Sequence, residues 1–213
     1  MASTGDSVRI ASLTWNRRTA FADGVGERAA GGKLTDLGVA AVAEMERLGM
    51  ILDVSHLSDD GFWHVDELAT QPYIATHSSC RALCDHPRNL TDSQLQALGR
   101  AGGVVGINFY GRFIGEIDGA GSPIDLAIDH VVHALDVAGE DAVALGPDYM
   151  WDYCHATNPV LGVGNIARDM PEGLRRPDEL PLFAARLADR VGEKVATKVC
   201  SANALRVLRE ILR

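Results

Sequence analysis

Two short apolar runs, Met50-Ile51-Leu52-Asp53-Val54 and Pro72-Tyr73-Ile74-Ala75, each end in a hydroxyl residue followed by histidine, Ser55-His56 and Thr76-His77. The two histidines lie 21 residues apart. Neutral imidazole nitrogen is a good ligand for zinc and similar divalent metals, so two such groups brought to one place could share an ion. Alone, the pair could equally be histidines that cap strand ends with hydrogen bonds. If they share a metal, their ring nitrogens should lie within about 4 Å of each other or of that ion.

The interval between the pairs predicts one helix from about Asp59 to Thr70, capped by Ser58 or Asp59, with Phe62, Val65 and Leu68 on its buried face. Strand, helix and strand make a right-handed βαβ unit, which delivers both histidines to the carboxyl-terminal edge of a parallel sheet. Upstream, Val8 to Leu13 reads as a strand and Thr35 as the cap of a helix that stops at Gly49. Downstream, Pro87 halts a short helical turn after His77, on which Cys80 and Cys84 would share a face as small apolar residues. Thr91 with Gln94 signals the next helix, closing at Gly102-Gly103.

Gly103 to Phe109 reads as a fully buried parallel strand, Ile124 to Ala138 as an amphipathic helix, and Ala142 to Leu145 as the last short strand, ending at Gly146-Pro147-Asp148. Residues 150–181 carry little periodicity and are expected to form a long loop over the site edge. A helical pair over Leu182 to Leu212 follows, with Val195, Val199, Ala202 and Leu205 as its apolar stripe. The alternation gives an α/β class with about five parallel strands and covering helices. Periodicity leaves open whether these form a doubly wound sheet or part of a barrel. No GxGxxG follows a strand, so a dinucleotide crevice is not indicated.

The 213 residues suffice for one domain with a substantial core, and the chain is 46% hydrophobic. Its formal charge of -9, without a lysine and arginine block, speaks against nucleic acid as a partner. No apolar run is long enough to span a bilayer, and MASTGDSVR lacks the pattern of a signal peptide, so no membrane association and a cytoplasmic location are expected. The four cysteines form no CxxC pair and no disulfide framework.

The strings LTWN at 13–16, ADG at 22–24, GGKLTDLG at 31–38, MERLGMILDVSH at 45–56, ATHSSCRALCDHPRNLTD at 75–92, GGVVGINFY at 102–110 and ALGPDY at 144–149 carry a resemblance. In family order, they resemble the membrane or renal dipeptidase family of zinc metallopeptidases (family M19), in its bacterial members. The resemblance implies a (β/α)8 TIM barrel of the metal-dependent hydrolase type, of which this chain matches the later five strands as a single incomplete barrel domain over 1–213. It also implies a centre of one or two zinc ions, in which His56 and His77 match the last two ligands. The family's His-x-Asp pair and bridging glutamate have no counterpart here.

By the same resemblance, Asp148 handles the proton of the attacking water and of the leaving amine, and Arg88 clamps the carboxylate of a dipeptide, with Arg81 and Asn89 in support. Trp15 stands where mammalian members carry a substrate-binding histidine, and an indole there could wall an apolar side-chain pocket. His86, His130 and His133 read as structural or surface residues, and a second metal site at Asp152, Cys154 and His155 is not expected. The function implied is hydrolysis of a small peptide by metal-activated water, with ligands completed by another segment or chain. The competing reading is a catalytically inactive dipeptidase-like structural or binding subunit. An exposed apolar strand edge near residues 8–13 and 143–145, and hence self-association or pairing with a chain that supplies the other strands, completes the expectations.

Overall fold

The computed structural model describes residues 8–116, 121–154, 156 and 169–212. Parallel strands form an α/β sheet in which β1 (Ile10–Ser12) pairs with β2 (Ile51–Asp53), and β3 (Val105–Ile107) with β4 (Val143–Leu145). The segment at Ile74 and Ala75 joins the two halves by parallel bridges, Asp53 to Ile74 and Ala75 to Val105. The expected strand at 72–75 is thus present as a bridge only. Its polar neighbours turn away immediately, because Thr76 and His77 are held by side chains rather than by a continued ladder. Among the described residues the sheet does not close, and the arrangement is a partial, unclosed TIM-barrel-like one.

The helices begin where side chains satisfy the first free N–H groups. Thr35 accepts from Gly38 N to open α1 (Asp36–Arg47), and Ser58 accepts from Gly61 N to open α2 (Asp59–Leu68). Thr91 and Gln94 form a reciprocal capping box on α3 (Asp92–Arg100). The one-turn α4 (Gly111–Ile114) precedes α5 (Pro123–Ala138), which packs on β3, β4 and α3. Cys80 and Cys84 share no helix face. Cys80 is bridged to Leu90 and buried, and the chain between them is a turn. Within the expected 150–181 loop, residues 151–154 form a helical turn and Pro177–Glu179 a 3-10 turn, while His155 and residues 157–168 lie outside the described residues.

The carboxyl-terminal segment comprises α6 (Leu180–Val191), α7 (Glu193–Thr197), a π-helical turn at Lys198–Ala202, and α8 (Asn203–Ile211). The expected stripe fails after Val199, since Ala202 and Leu205 are exposed and Asn203, Val207 and Ile211 are buried instead. The wider π turn inserts a residue into the helical phase once, so the inward face passes from Val199 to Asn203 and continues at Val207 and Ile211.

The main core lies between the sheet and its helices, around Phe62, Leu98, Val105, Ile107, Val131 and Phe183. A second, smaller cluster joins Ile51, Ile74, Val104 and Ala144 to Val207 and Ile211 of α8. Beside it is a cavity of about 240 Å³ lined by Ile10, Ile51, Ile74, Val104, Ala144 and Leu208 among others. The expectation of exposed apolar edges holds at Val8 and Ile10. At β4, which pairs only with β3 among the described residues, the side chains of Val143 and Ala144 are buried, with Asn203 bonding to Val143 O and Val207 packing beside Ala144. Among the described residues no helix is long and apolar enough to cross a membrane.

Candidate active site

β2 ends on Asp53, a buried carboxylate that ties the ends of two neighbouring strands together. Its Oδ1 accepts from the Ser55 and Thr76 amides, each at 2.9 Å, and its Oδ2 accepts from the Thr76 hydroxyl at 2.6 Å. Ser55 Oγ in turn accepts from His77 N at 3.1 Å. His56 follows with φ of 70°, a left-handed backbone that costs a non-glycine residue energy. Its carbonyl accepts from Val25 N at 2.8 Å, which holds the turn.

The result brings the edges of the two imidazoles together, Nε2 to Nε2 at 2.8 Å, with ring centroids 4.9 Å apart and planes tilted by 60°. Each Nδ1 has its own oxygen partner: Asn16 Oδ1 for His56 at 2.8 Å and Thr76 Oγ1 for His77 at 2.7 Å. Burial is the largest cause that lowers the proton affinity of both rings, and the Arg88 charge adds to it. His56 is pushed down to about 3, whereas Asp148 and Asp53 partly offset the lowering at His77. Both rings are neutral at physiological pH, the form in which imidazole ligates metals.

Arg88 is only 6% exposed, and its Nη2 donates to His77 O at 2.9 Å. Burial lowers its pKa to about 10, opposed by the Asp53 and Asp148 charges. Among the described residues its Nε has no partner, so a buried guanidinium keeps donor capacity beside the two histidines. Asp148 takes φ of 56°, and its Oδ2 accepts from Asn108 Nδ2 at 3.3 Å. Asn108 is fully buried and is itself fixed by Tyr110 N, which donates to its Oδ1 at 2.6 Å.

The other sequence candidates fall into distinct places. Asn89 Nδ2 donates to Cys84 O and Phe113 O, which pins the loop carrying Arg88 to α4, and its buried Oδ1 has no partner. Arg81 forms a two-pronged ion pair with Asp59. His86 accepts from Arg88 N, and Arg88 lies over the Phe113 ring at 5.6 Å. Trp15 is 71% exposed, its ring 6.2 Å from that of His56. His130 is buried, accepting from Cys80 N through Nδ1, while His133 pairs with Asp92. Asp152 pairs with Arg176.

Sequence reading missed Asn16, Thr76 and Asn108 as parts of this site. Thr76 was visible only as the first member of its Thr-His pair, and Asn108 as the polar end of an apolar strand. Asn16 carried no signal, because it reaches His56 across 40 residues of sequence.

Two facing Nε2 atoms suit two coordination positions of a divalent metal, and His56 and His77 would hold it. Among the described residues no group of three or more His, Cys, Asp or Glu side chains could hold an ion unaided. The fit therefore extends to two ligands.

Residues 4–213 match the family model for membrane dipeptidase, peptidase family M19. A metallopeptidase from Rhodobacter sphaeroides, liganded with a phosphinate mimic of the dipeptide L-Ala-D-Ala, is similar with a TM-score of 0.80 and 31% identity, over 95% of this chain and 56% of that one. A second structure, of the M19 metallopeptidase dipeptidase AC, has a TM-score of 0.80 and 31% identity, over 95% of this chain and 58% of its own. An uncharacterized Klebsiella pneumoniae protein encoded in the pqqA 5' region is 33% identical over 96% of this chain and 72% of that protein. The chain thus spans little more than half the length of those two solved relatives. With its parallel sheet, its paired histidines at the carboxyl-terminal edge and a family match across nearly its whole length, the chain belongs to the membrane dipeptidase family, peptidase family M19.

Proposed function

We propose that this chain serves a metal-dependent dipeptidase, with zinc as the metal and a small peptide bearing a free carboxylate as the substrate. The observation that carries the reading is the convergence of His56 and His77 at one point, beside the buried Arg88 and within the field of Asp148. The dipeptide mimic held by the Rhodobacter sphaeroides relative supports the substrate class. A bound divalent metal would supply Lewis-acid polarisation of the peptide carbonyl and lower the pKa of the attacking water.

The protein's own groups would do the rest. Arg88 binds the substrate carboxylate through its free donors, which fixes the scissile bond relative to the histidines. Asp148, aimed by Asn108, takes a proton from the attacking water and delivers it to the leaving amine nitrogen as the C–N bond breaks. Trp15 walls the substrate side chain, and Asn89 steadies the Arg88 loop. The His-x-Asp and glutamate ligands come from another segment or chain, completing a single barrel domain. A binding subunit without activity is the second reading, favoured by the two-ligand fit.

The test follows amino acid release from simple L,L and L,D dipeptides with added zinc. The 213-residue chain alone should turn over little, because two histidines leave most metal positions to water. A longer polypeptide or complex that supplies the other ligands should be active, and His77→Ala should abolish that activity. An inactive complete form would favour the binding subunit. Robust turnover by the chain alone that vanishes in His77→Ala would instead show that its own residues complete the site.

A further inference from the structure

The contact between His56 and His77 has an unusual consequence once the protons are placed. An ionised aspartate only accepts hydrogen bonds, so the single Thr76 hydroxyl proton lies on the 2.6 Å contact to Asp53 Oδ2. The Thr76 oxygen then has only lone pairs to offer His77 Nδ1 at 2.7 Å, and that contact is a hydrogen bond only if Nδ1 carries the proton. A neutral imidazole has one N–H, so His77 Nε2 is bare. The same holds on the other ring, where the carbonyl oxygen of Asn16 faces His56 Nδ1 at 2.8 Å. Two bare nitrogens therefore meet at 2.8 Å, an arrangement that repels unless a cation lies between them.

We propose that Thr76, oriented by Asp53, and Asn16 are positioning residues that hold both histidines in the Nδ1–H form and so turn two Nε2 lone pairs onto one shared cation. This rests on the metal-centre reading above and extends it to residues that would never touch the ion. Imidazole in water prefers its proton on Nε2. Without these two oxygens each ring would favour a hydrogen where the cation must sit. Outer partners that fix a ligating ring in this way characteristically change metal affinity by about 10- to 100-fold when removed. Asp53 serves both tasks at once, since the carboxylate that orients the Thr76 hydroxyl also receives the Ser55 and Thr76 amides and fixes the strand ends.

The experiment records long-range proton–nitrogen NMR spectra of the histidine rings in metal-free protein in mildly alkaline buffer, then measures zinc binding by calorimetry. Wild type should show His56 and His77 protonated on Nδ1. Thr76→Val should move the His77 proton to Nε2 and weaken zinc binding by about 10- to 100-fold, and Asn16→Leu should do the same for His56. Thr76→Ser, which keeps the hydroxyl, should preserve both the spectrum and the affinity. A wild-type His77 protonated on Nε2, or a folded Thr76→Val with unchanged ring spectra, would overturn the assignment. Wild-type rings protonated on Nδ1 in a protein that binds no zinc would uphold the tautomers and remove the metal centre, so the two readings fail separately.

Discussion

The two ends of the sheet solve the same geometric problem with opposite residue choices. At the amino-terminal end, the turns entering β2, β3 and β4 pass through Gly49, Gly102 and Gly139, all at positive φ, which glycine adopts without strain. The carbonyls there are covered by α8, whose Asn203 bonds to Glu140 O and Val143 O and whose Arg206 bonds to Gly102 O and Asp141 O. At the carboxyl-terminal end, the residues with positive φ are His56 and Asp148, and Ser78 Oγ, Arg88 Nε and Asn89 Oδ1 are buried without partners. One end has a relaxed backbone and carbonyls supplied with donors, and Arg206 Nε is its one buried polar atom without a partner among the described residues. The other keeps strain and unused hydrogen-bonding capacity where a substrate and metal would arrive, as functional sites commonly do.

The largest expected effect tests the satisfied end. Asn203→Leu would leave Glu140 O and Val143 O without their donor, and the cost should be about 3 kcal/mol, read as a lower denaturation midpoint. The ring spectra of His56 and His77 should stay unchanged below the transition. If those spectra collapse with the substitution, the two ends are not separable.

Acid should attack the other end next. His130, on α5, accepts from Cys80 N just beyond His77 and donates to Ile114 O, with His133 nearby on its own helix. Burial lowers its pKa to about 4, so between the usual histidine value near 6.5 and about 4 the unfolded chain binds the extra proton and the folded one does not. The stability tied to His130 is therefore complete above pH ~6.5 and declines as pH falls towards about 4. His130→Gln should flatten that part of the stability profile. A slope identical to wild type would show that His130 does not govern it.

The smallest effects compare the turns directly. Gly49→Ala places a side chain at φ of 65° and should cost about 1 kcal/mol. Asp148→Gly should change stability by less than about 1 kcal/mol, because relief of the left-handed backbone offsets the lost Asn108 contact. Equal costs in thermal unfolding at the two positions would erase the contrast.

Much of this was legible in the chain because the signals are local. Thr35, Ser58 and Thr91 announce their helices by capping chemistry, and the apolar runs that end at His56 and His77 announce strands arriving at one edge. What escaped depends on distance or on phase. Asn16 meets His56 only through the fold, and Asn108 reveals its use only when Asp148 arrives from another strand. Cys80 sits on a bridge rather than a helix because its loop pairs with Leu90, a contact that no periodicity encodes. The stripe predicted for the last helix went wrong at a single turn, since sequence period assumes an uninterrupted α-helical phase.

That turn at Lys198–Ala202 has a consequence for folding cooperativity. Ala196 before it and Val199 within it belong to the core under the covering helices, and after it Val207 and Ile211 belong to the cluster on the opposite side of the sheet. One continuous helical rod thus acts as a rivet through two cores that, among the described residues, share no other helix. Loosening either core should loosen the other through the rod. Ser201→Pro would break the rod inside that turn, and the two cores would then melt as separate bodies.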